Sequence, residues 1–266
     1  MLSLPTAAPA SPVDVSLVLA CFNEEDVIAD SVSRILDTLD GCAWSYELIF
    51  VDDCSRDSTA EQIRRLIAAH PDHNLRAIFH ERNRGRGYTV AEGMRAGRGA
   101  IVGYIDVDLE VDARYVPVCM RALEQGADVA TGLRRYKFSW GSLDRYLLSR
   151  GYVTLVRYLL GVDLQDTETG FKFFRKDRIL PVFDAIEEPH WFWDTEVMVR
   201  ALCGGLKIEE IPVPFVRRFD KQSTVRPLRD SIHYFVRLWR FRSTLAKLRQ
   251  EARLAGTERN WVRESL

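Results

Sequence analysis

This sequence of 266 residues contains no long apolar run. A membrane-spanning helix needs about 18 consecutive apolar residues, and no stretch approaches that length. The segment before Asp14 is rich in Ala, Pro and Ser and has no basic residue ahead of its short apolar patch. Because it lacks the charged front of a secretory signal, we predict a disordered lead-in over residues 1–13 and a cytoplasmic protein.

Cysteine is scarce and scattered. The five cysteines are odd in number, and no two of them have CxxC spacing. This pattern argues against a disulfide framework or a zinc site and fits a reducing compartment. We therefore predict that they serve as small apolar fillers.

An excess of charge of one sign is also absent, since the formal net charge is −1. The whole chain therefore has no overall attraction to nucleic acid, and we expect no nucleic-acid partner. A hydrophobic share of 47% and a charged share of 28% are typical of a globular protein. No internal repeat or low-complexity linker divides the sequence, so we predict one compact domain with two parts.

The first hundred residues alternate short apolar strands with amphipathic helices. Strands are expected at 15–20, 47–51, 75–79 and 100–105, and helices at 24–39, after Asp57 and at 88–96. Further on, helices are expected at 114–125, 143–160 and 195–203, and strands at 128–131 and 207–212. Alternation of this kind predicts an α/β protein with a parallel sheet and right-handed crossovers.

Two carboxylates, Asp106 and Asp108, directly follow the strand at 100–105. In open α/β sheets ligands bind outside the carboxyl ends of strands, so this position favours a binding role. Two acids one residue apart can hold a hard divalent cation through oxygen, and the cation can neutralise a diphosphate.

Two further strand ends carry polar or aromatic groups, in the segments 20–24 and 52–55. Since parallel strands that follow one another end at the same edge, we expect these segments to meet the Asp106 segment. They supply an aromatic residue, Phe22, and an acid, Asp53, that can accept hydrogen bonds from a base or ribose. Each acid alone could be a helix cap, as Asp57 is expected to be, but together they predict a nucleotide-diphosphate site.

The loop at 83–87 precedes the third helix and adds positive charge through Arg84 and Arg86. Its two glycines let the backbone approach a ligand, and a helix N-terminus favours anions. It is not the GxGxxG dinucleotide fingerprint, because the next glycine is Gly93. Nucleotidyltransferases also use acidic metal sites, but this chain lacks a glycine-rich phosphate loop after its first strand.

The ordered segments 20–25, 51–57, 83–87 and 106–108 together resemble the GT-A inverting glycosyltransferases of family 2. Within that family they are most similar to the dolichyl- and polyprenyl-phosphate mannosyl- and glucosyltransferases. The resemblance covers residues 14–230. It implies the GT-A fold, a Rossmann-like and mostly parallel sheet flanked by helices, with amphipathic helices at the C-terminus.

The resemblance implies a nucleotide-sugar-binding half at 14–112. The donor would contact Ala20, Phe22, Glu24, Asp53, Arg84, Arg86, Asp106 and Arg218. Asp106, Asp108 and Glu110 would hold Mg or Mn on the diphosphate. Relatives often have Pro-x-Tyr-Asn-Glu where Ala20 and Phe22 stand, so the choice between a GDP-linked and a UDP-linked sugar stays open. Relatives tend to have Gln at Glu110, and the change keeps an oxygen ligand and adds charge.

The resemblance also implies an acceptor-binding half at 113–225. Residues 131–134 resemble a segment that closes the catalytic centre, and residues 145–150 resemble a helix start that holds the acceptor phosphate. Arg145 and Ser149 are four residues apart on one helix face and can reach the same anion. The residues expected to act in the reaction are Asp108, Arg134, Arg145, Ser149 and Asp194.

The resemblance predicts transfer of mannose or glucose, with inversion, to a polyprenyl or dolichyl phosphate. A lipid phosphate is already ionised near neutral pH and needs no base, so the chemistry reduces to positioning and charge neutralisation. An alternative is a hydroxyl acceptor with Asp194 as the base. A second alternative is a nucleotide-sugar-binding scaffold without catalysis.

The C-terminal part differs from the rest. In the stretch after Arg218, relatives have Gly and Lys where Lys221 and Thr224 stand, and we predict a mobile lid there. Residues 226–254 combine basic and aromatic residues and predict a pair of amphipathic helices, followed by a tail at 255–266. The pair would either pack on its own domain or make a peripheral contact with the anionic inner face of a membrane.

Overall fold

The computed structural model describes residues 13–136, 159–216 and 227–254, in which seven strands form one sheet. The strands are β1 (Val15–Cys21), β2 (Tyr46–Asp52), β3 (Leu75–Phe79), β4 (Ile101–Ile105), β5 (Val129–Tyr136), β6 (Phe171–Arg175) and β7 (Ile208–Phe215). The helices are α1 (Ile28–Asp40), α2 (Thr59–Ala69), α3 (Arg86–Ala96), α4 (Val116–Glu124), α5 (Lys176–Phe183), α6 (Trp193–Cys203) and α7 (Pro227–Leu254), and a short 3₁₀ turn spans Ala113–Tyr115.

The strand order is β3-β2-β1-β4-β6-β5-β7. Strands β1 to β4 pair in parallel, β5 pairs with β7 in parallel, and β6 runs antiparallel to both of its neighbours. The predicted mostly parallel α/β sheet is therefore confirmed. The halves predicted at 14–112 and 113–225 share this one sheet, which continues from one to the other through the β4–β6 pair.

The sheet is covered on both faces, and β1 shows how the sequence achieves this. Leu17 and Leu19 join one buried cluster, while Val18 joins another on the opposite face. Helices α1 and α4 contribute to the first cluster, and α3 and α6 to the second. Because both faces of the sheet are buried, the strand sequences are near-continuous apolar runs rather than alternating apolar and polar residues.

Several predicted boundaries were wrong. The first helix begins at Ile28 and not at residue 24, because the amides of Glu24 and Glu25 bond the side chains of Thr59 and Asp57 instead. Strand β5 runs on to Tyr136, well past residue 131. Strand β6 and helix α5 were not predicted. The helix predicted at 143–160 lies almost entirely outside the described residues.

The predicted C-terminal helix pair is a single helix, α7. No glycine or proline follows Pro227 within it, so nothing in the sequence breaks it. Its residues Leu238, Phe241 and Leu245 are buried against the protein's own α6 and neighbouring loops. Arg249 also donates to the carbonyl oxygen of Gly161 over 2.9 Å. The apolar face of α7 is therefore used to dock the helix on its own domain.

All five cysteines are free, as predicted. Cys21, Cys119 and Cys203 are buried fillers, whereas Cys42 and Cys54 are half-buried. Across the part of the chain that the structure describes, no helix combines the length and apolar character needed to cross a membrane.

The contact between β4 and β6 gives a test of the fold. A Cβ added at Gly103 would collide with the ring of Phe173, so Gly103→Ala should lower the free energy of unfolding by about 2–3 kcal/mol through overpacking. At Gly41 the nearest atom to an added Cβ is 3.5 Å away, and Gly41→Ala is the control expected to leave stability unchanged or slightly raised. Urea denaturation of both variants measures this. Equal stability of the two would contradict the β4–β6 register.

Candidate active site

The carboxyl ends of β1 and β2 are joined by direct hydrogen bonds. The amide of Asp53 donates to the carbonyl oxygen of Cys21 over 2.9 Å, and the amide of Asn23 donates to Oγ of Ser55 over 2.9 Å. Oδ1 of Asn23 accepts from the amide of Arg56 at 2.8 Å. The two segments predicted to meet at the edge of the sheet therefore do so, next to the end of the neighbouring strand β4.

Backbone strain marks each of the three strand ends. Among the described residues, the non-glycine residues with positive φ are Asn23 (56°), Cys54 (64°) and Leu109 (51°). One follows β1, one follows β2 and one follows β4. Side chains with a Cβ adopt this left-handed region at a cost, and such residues cluster at functional sites. Their grouping at one edge singles this edge out from the rest of the sheet.

Asp53 is buried and holds the loop that begins α3. Its Oδ1 accepts from the amide of Arg84 over 2.7 Å, and its Oδ2 accepts from the amide of Gly85 over 2.9 Å. Gly85 has φ of 94°, and an added Cβ would lie 2.7 Å from the carbonyl oxygen of Pro189. Asp53 thus anchors the loop in this structure, and its contact with a base or ribose stays a prediction.

The two arginines of this loop take different places. The guanidinium of Arg84 stacks 3.6 Å over the ring of Tyr88. Arg86 turns inward and bridges two acids, Asp106 through Oδ1 at 2.5 Å and Asp194 through Oδ2. Arg86 therefore connects the end of β4 with the start of α6.

Asp194 lies inside a buried charged cluster. Besides Arg86, its carboxylate accepts from Nζ of Lys172 at 2.8 Å and from the hydroxyl of Tyr104. Burial alone would raise the pKa of Asp194, but the charges of Arg86 and Lys172 outweigh it and hold the pKa below its usual value. Its side chain is 3% exposed. A carboxylate held in this way is a poor general base for an incoming hydroxyl.

The carboxylate of Asp106 is the accessible acid of the site. It is 46% exposed, and its backbone amide donates to the carbonyl oxygen of Gly170 over 2.9 Å. Oδ1 of Asp108 accepts from the amide of Glu110 over 3.3 Å. Within the described ranges no group of three or more His, Cys, Asp or Glu side chains is placed to hold a metal ion, so the predicted three acids do not form a closed cage.

This donor set still fits one class of cation. Mg²⁺ binds through one or two carboxylates together with substrate phosphates and water, rather than in an all-protein cage. The half-exposed Asp106 and its neighbour Asp108 offer oxygen ligands of that kind. The third predicted ligand, Glu110, stays a prediction.

A small cavity of about 40 Å³ lies beside Asp106. It is also lined by Glu110, Arg134, Glu168, Gly170 and Phe215. Arg134 forms a bidentate ion pair with Asp166, with Nε 2.7 Å from Oδ2 and Nη2 2.9 Å from Oδ1. Burial would raise the pKa of Asp166, but Arg134 outweighs it and lowers that pKa. Arg134 is thereby fixed in orientation at the wall of the cavity.

The remaining predicted residues divide into two groups. Ala20, Phe22 and Glu24 lie at the end of β1, half-buried, and their contact with the donor stays a prediction. Arg145, Ser149 and Arg218 lie outside the described residues, as does most of the predicted lid.

Sequence reasoning missed four residues of the site. Lys172 and Tyr104 bind Asp194, His80 contacts Asp53, and Trp191 is 52% exposed with its ring 5.3 Å from the guanidinium of Arg86. Only Lys172 had a visible signal, namely a charged residue inside the apolar run 171–174. A buried charge needs a partner, and that requirement points to an internal ion pair.

The sequence matches the model of the family "Glycosyl transferase family 2" over residues 16–180. The chain belongs to this family, and the fold is the GT-A fold. A similar protein is glycosyltransferase AglD of Haloferax volcanii, which is 34% identical to this chain. The match covers 88% of this chain but only 38% of the length of AglD. Others are the dolichyl-phosphate β-glucosyltransferase of Dictyostelium discoideum, 24% identical over 88% of this chain and 79% of the relative, and the dolichol-phosphate mannosyltransferase of Pyrococcus furiosus, 28% identical over 76% and 55%.

Solved structures show the same fold. Glucosyl-3-phosphoglycerate synthase from Mycobacterium tuberculosis, in complex with Mn²⁺, UDP and phosphoglyceric acid, has a TM-score of 0.64 and 20% identity, covering 89% of this chain and 78% of that one. The same enzyme with Mg²⁺ and UDP has a TM-score of 0.62 and 21% identity, covering 85% and 76%. At these identities the likeness concerns the fold alone.

The buried position of Asp194 gives a testable contrast with an exposed pair. Asp194→Asn leaves Arg86 and Lys172 without their shared counter-charge and should cost about 3–5 kcal/mol of unfolding free energy. The control Asp184→Asn removes an exposed pair with Arg95 and should cost at most about 0.5 kcal/mol. Urea denaturation at pH 7 measures both. A loss below 1 kcal/mol for Asp194→Asn, about the size of a surface pair, would contradict the cluster.

The same contrast should depend on pH. The pKa of Asp194 is lowered in the folded protein, so its stabilising effect is present at neutral pH and is lost as the pH falls below about 4. The stability gap between the wild type and Asp194→Asn should therefore shrink from pH 7 to pH 3. A gap that stays constant over this range would show that the carboxylate charge contributes nothing.

Proposed function

We propose that the protein transfers a hexose, mannose or glucose, from a nucleotide diphosphate sugar to a polyprenyl or dolichyl phosphate, with inversion at the anomeric carbon. The observation that carries the choice of acceptor is the state of Asp194. It is buried, paired with two cations and held at a low pKa, so it does not serve a hydroxyl acceptor as base. A phosphate acceptor needs no base. The names of the relatives from Dictyostelium and Pyrococcus support the same substrate class.

The donor would lie across the edge formed by β1, β2 and β4. Mg²⁺ or Mn²⁺ held by Asp106 and Asp108 would neutralise the diphosphate of a GDP-linked or UDP-linked sugar. Arg84 and Arg86 flank Gly85 at the N-terminus of α3, where the helix dipole adds partial positive charge. These groups stabilise the negative charge that develops on the leaving diphosphate.

The acceptor phosphate would approach from the side of Arg134. The planar guanidinium of Arg134 matches phosphate oxygens, and its pairing with Asp166 fixes its orientation before the acceptor arrives. The family resemblance adds Arg145 and Ser149 to this task. Catalysis then consists of bringing an ionised oxygen to the sugar in the correct geometry.

Two alternatives are less well supported. Transfer to a hydroxyl with Asp194 as base conflicts with the pairing of that carboxylate. A non-catalytic nucleotide-sugar-binding scaffold would bind donor without turnover, yet the chain keeps the accessible Asp106 beside Arg86 and Arg134.

Helix α7 supports a peripheral contact with a membrane through the side that is turned away from the domain. Its buried side packs on the domain, and its outer side carries exposed Val236 and Trp239 beside Arg240 and Lys247. Apolar and aromatic side chains flanked by basic ones suit the headgroup region of an anionic bilayer. We place this contact at the inner face of the membrane, where the lipid acceptor would be reached.

The activity is tested with purified protein, Mg²⁺ or Mn²⁺, polyprenyl phosphate and a panel of GDP-linked and UDP-linked hexoses. We expect a glycolipid from at least one donor and none from the matched polyprenol that lacks the phosphate. Asp106→Asn should lower turnover about a hundredfold or more, and the exposed control Asp37→Asn should not. Absence of product with every donor would overturn the proposal, and transfer to the polyprenol would favour the hydroxyl alternative.

The membrane contact is tested with vesicles containing anionic phospholipid. Arg240→Gln on the outer side of α7 should weaken binding about fivefold, as expected for one basic residue near a charged surface. The control Arg95→Gln removes an exposed arginine from α3 and should leave binding unchanged. If both variants bind as the wild type does, α7 is not the contact surface.

A further inference from the structure

Three residues from different elements meet behind the loop that carries Arg84 and Arg86. They are Asp53 after β2, His80 after β3 and Glu92 within α3. The amide of His80 donates to the carbonyl oxygen of Asp52 over 2.9 Å, which continues the β2–β3 pairing by one residue. This bond places the imidazole beside Asp53.

Both ring nitrogens of His80 face carboxylates. Nδ1 lies 2.7 Å from Oδ1 of Asp53, and Nε2 lies 2.5 Å from Oε2 of Glu92. The side chain is 4% exposed, and the ring of Tyr88 packs against it at 5.9 Å. With one ring nitrogen within hydrogen-bond distance of each carboxylate, His80 bridges Asp53 and Glu92.

Besides contacting His80, Asp53 accepts hydrogen bonds from the loop that begins α3. The same carboxylate accepts from the amides of Arg84 and Gly85, and its backbone carbonyl accepts from Nδ2 of Asn83 over 3.2 Å. A buried carboxylate is costly unless it is hydrogen-bonded and paired. Among the described contacts the side chain that pairs with this carboxylate is His80, whose other ring nitrogen contacts Glu92.

The position of the loop sets the reach of both arginines. With Gly85 held by Asp53, Arg84 lies on Tyr88 and Arg86 extends to Asp106. Gly85 and Gly87 leave no room for movement toward the 189–193 segment, because an added Cβ at either one would collide with it. If Asp53 lost its contact with His80, its hydrogen bonds to the amides of Arg84 and Gly85 would weaken, and the 83–86 loop would become free to move on that side.

We propose that His80 is a positioning residue for the donor: held between Asp53 and Glu92, it fixes the 83–86 loop so that Arg84 and Arg86 meet the diphosphate. The proposal rests on the proposed function, since it assigns His80 to the donor side of that site. His80 itself touches no substrate and acts through Asp53.

The test uses His80→Phe, which keeps a planar ring and removes both nitrogens. Binding of GDP and UDP with Mg²⁺ should weaken about tenfold, because the loop amides lose a fixed acceptor. In turnover, KM for the donor should rise while KM for polyprenyl phosphate stays unchanged. His70→Phe is the matched control, since His70 lies at the end of α2, where its ring contacts the carbonyl oxygen of Leu66.

A second readout needs no ligand. Hydrogen exchange of the peptide covering residues 82–88 should be faster in His80→Phe than in the wild type and the His70→Phe control. If His80→Phe is folded and shows both wild-type exchange and wild-type nucleotide binding, the proposal is overturned.

Two other outcomes are also decisive. If circular dichroism shows that His80→Phe does not fold, Glu92→Gln takes its place, and wild-type exchange and binding in that variant overturn the proposal. If the wild type binds neither GDP nor UDP with Mg²⁺ or Mn²⁺, the proposed function fails, and faster exchange in the variant alone would support the anchoring role of His80.

Discussion

The ion pair between Arg86 and Asp194 is the interaction on which the rest of the site depends. Arg86 begins α3 and Asp194 lies in the first turn of α6, so one buried contact ties together two helices that are far apart in the sequence. The pair is completed by Lys172 of β6 on one side and by Asp106 after β4 on the other. Because Lys172 and Asp194 are buried and Arg86 is largely buried, each of these three charges needs its partner, and that need fixes how α3 lies against α6.

Much of the arrangement at this edge of the sheet could be predicted from the sequence. Each polar segment follows a short buried strand, and parallel topology alone brings such segments together. The positions of Asn23, Asp53 and Asp106 at one edge followed from this rule. What could not be predicted is the direction in which each side chain turns: Asp53 faces the loop that begins α3, and Asp106 shares Arg86 with Asp194.

The errors have physical causes that can be stated residue by residue. Strand β6 was missed because Lys172 interrupts its apolar run. The lysine can be buried because Asp194, from a distant element, pairs with it and offsets the cost of removing its charge from water. The contacts of His80 were missed because nothing local marks a histidine that bridges two carboxylates from other elements. The prediction of two helices at 226–254 was wrong because no glycine or proline interrupts the stretch after Pro227, so one helix carries both the basic and the aromatic residues.

Strand β6 has a consequence for how the family can vary. It runs against β4 and β5, so the chain leaves β5 at the carboxyl edge and re-enters the sheet from that same edge. The end of β5 and the start of β6 therefore both lie at this edge of the sheet, where Arg134 and Gly170 line the same cavity as Asp106. A connection whose two ends meet at one edge can be lengthened or exchanged without altering a strand pair, so the sequence between β5 and β6 can diverge while the seven-stranded sheet is retained.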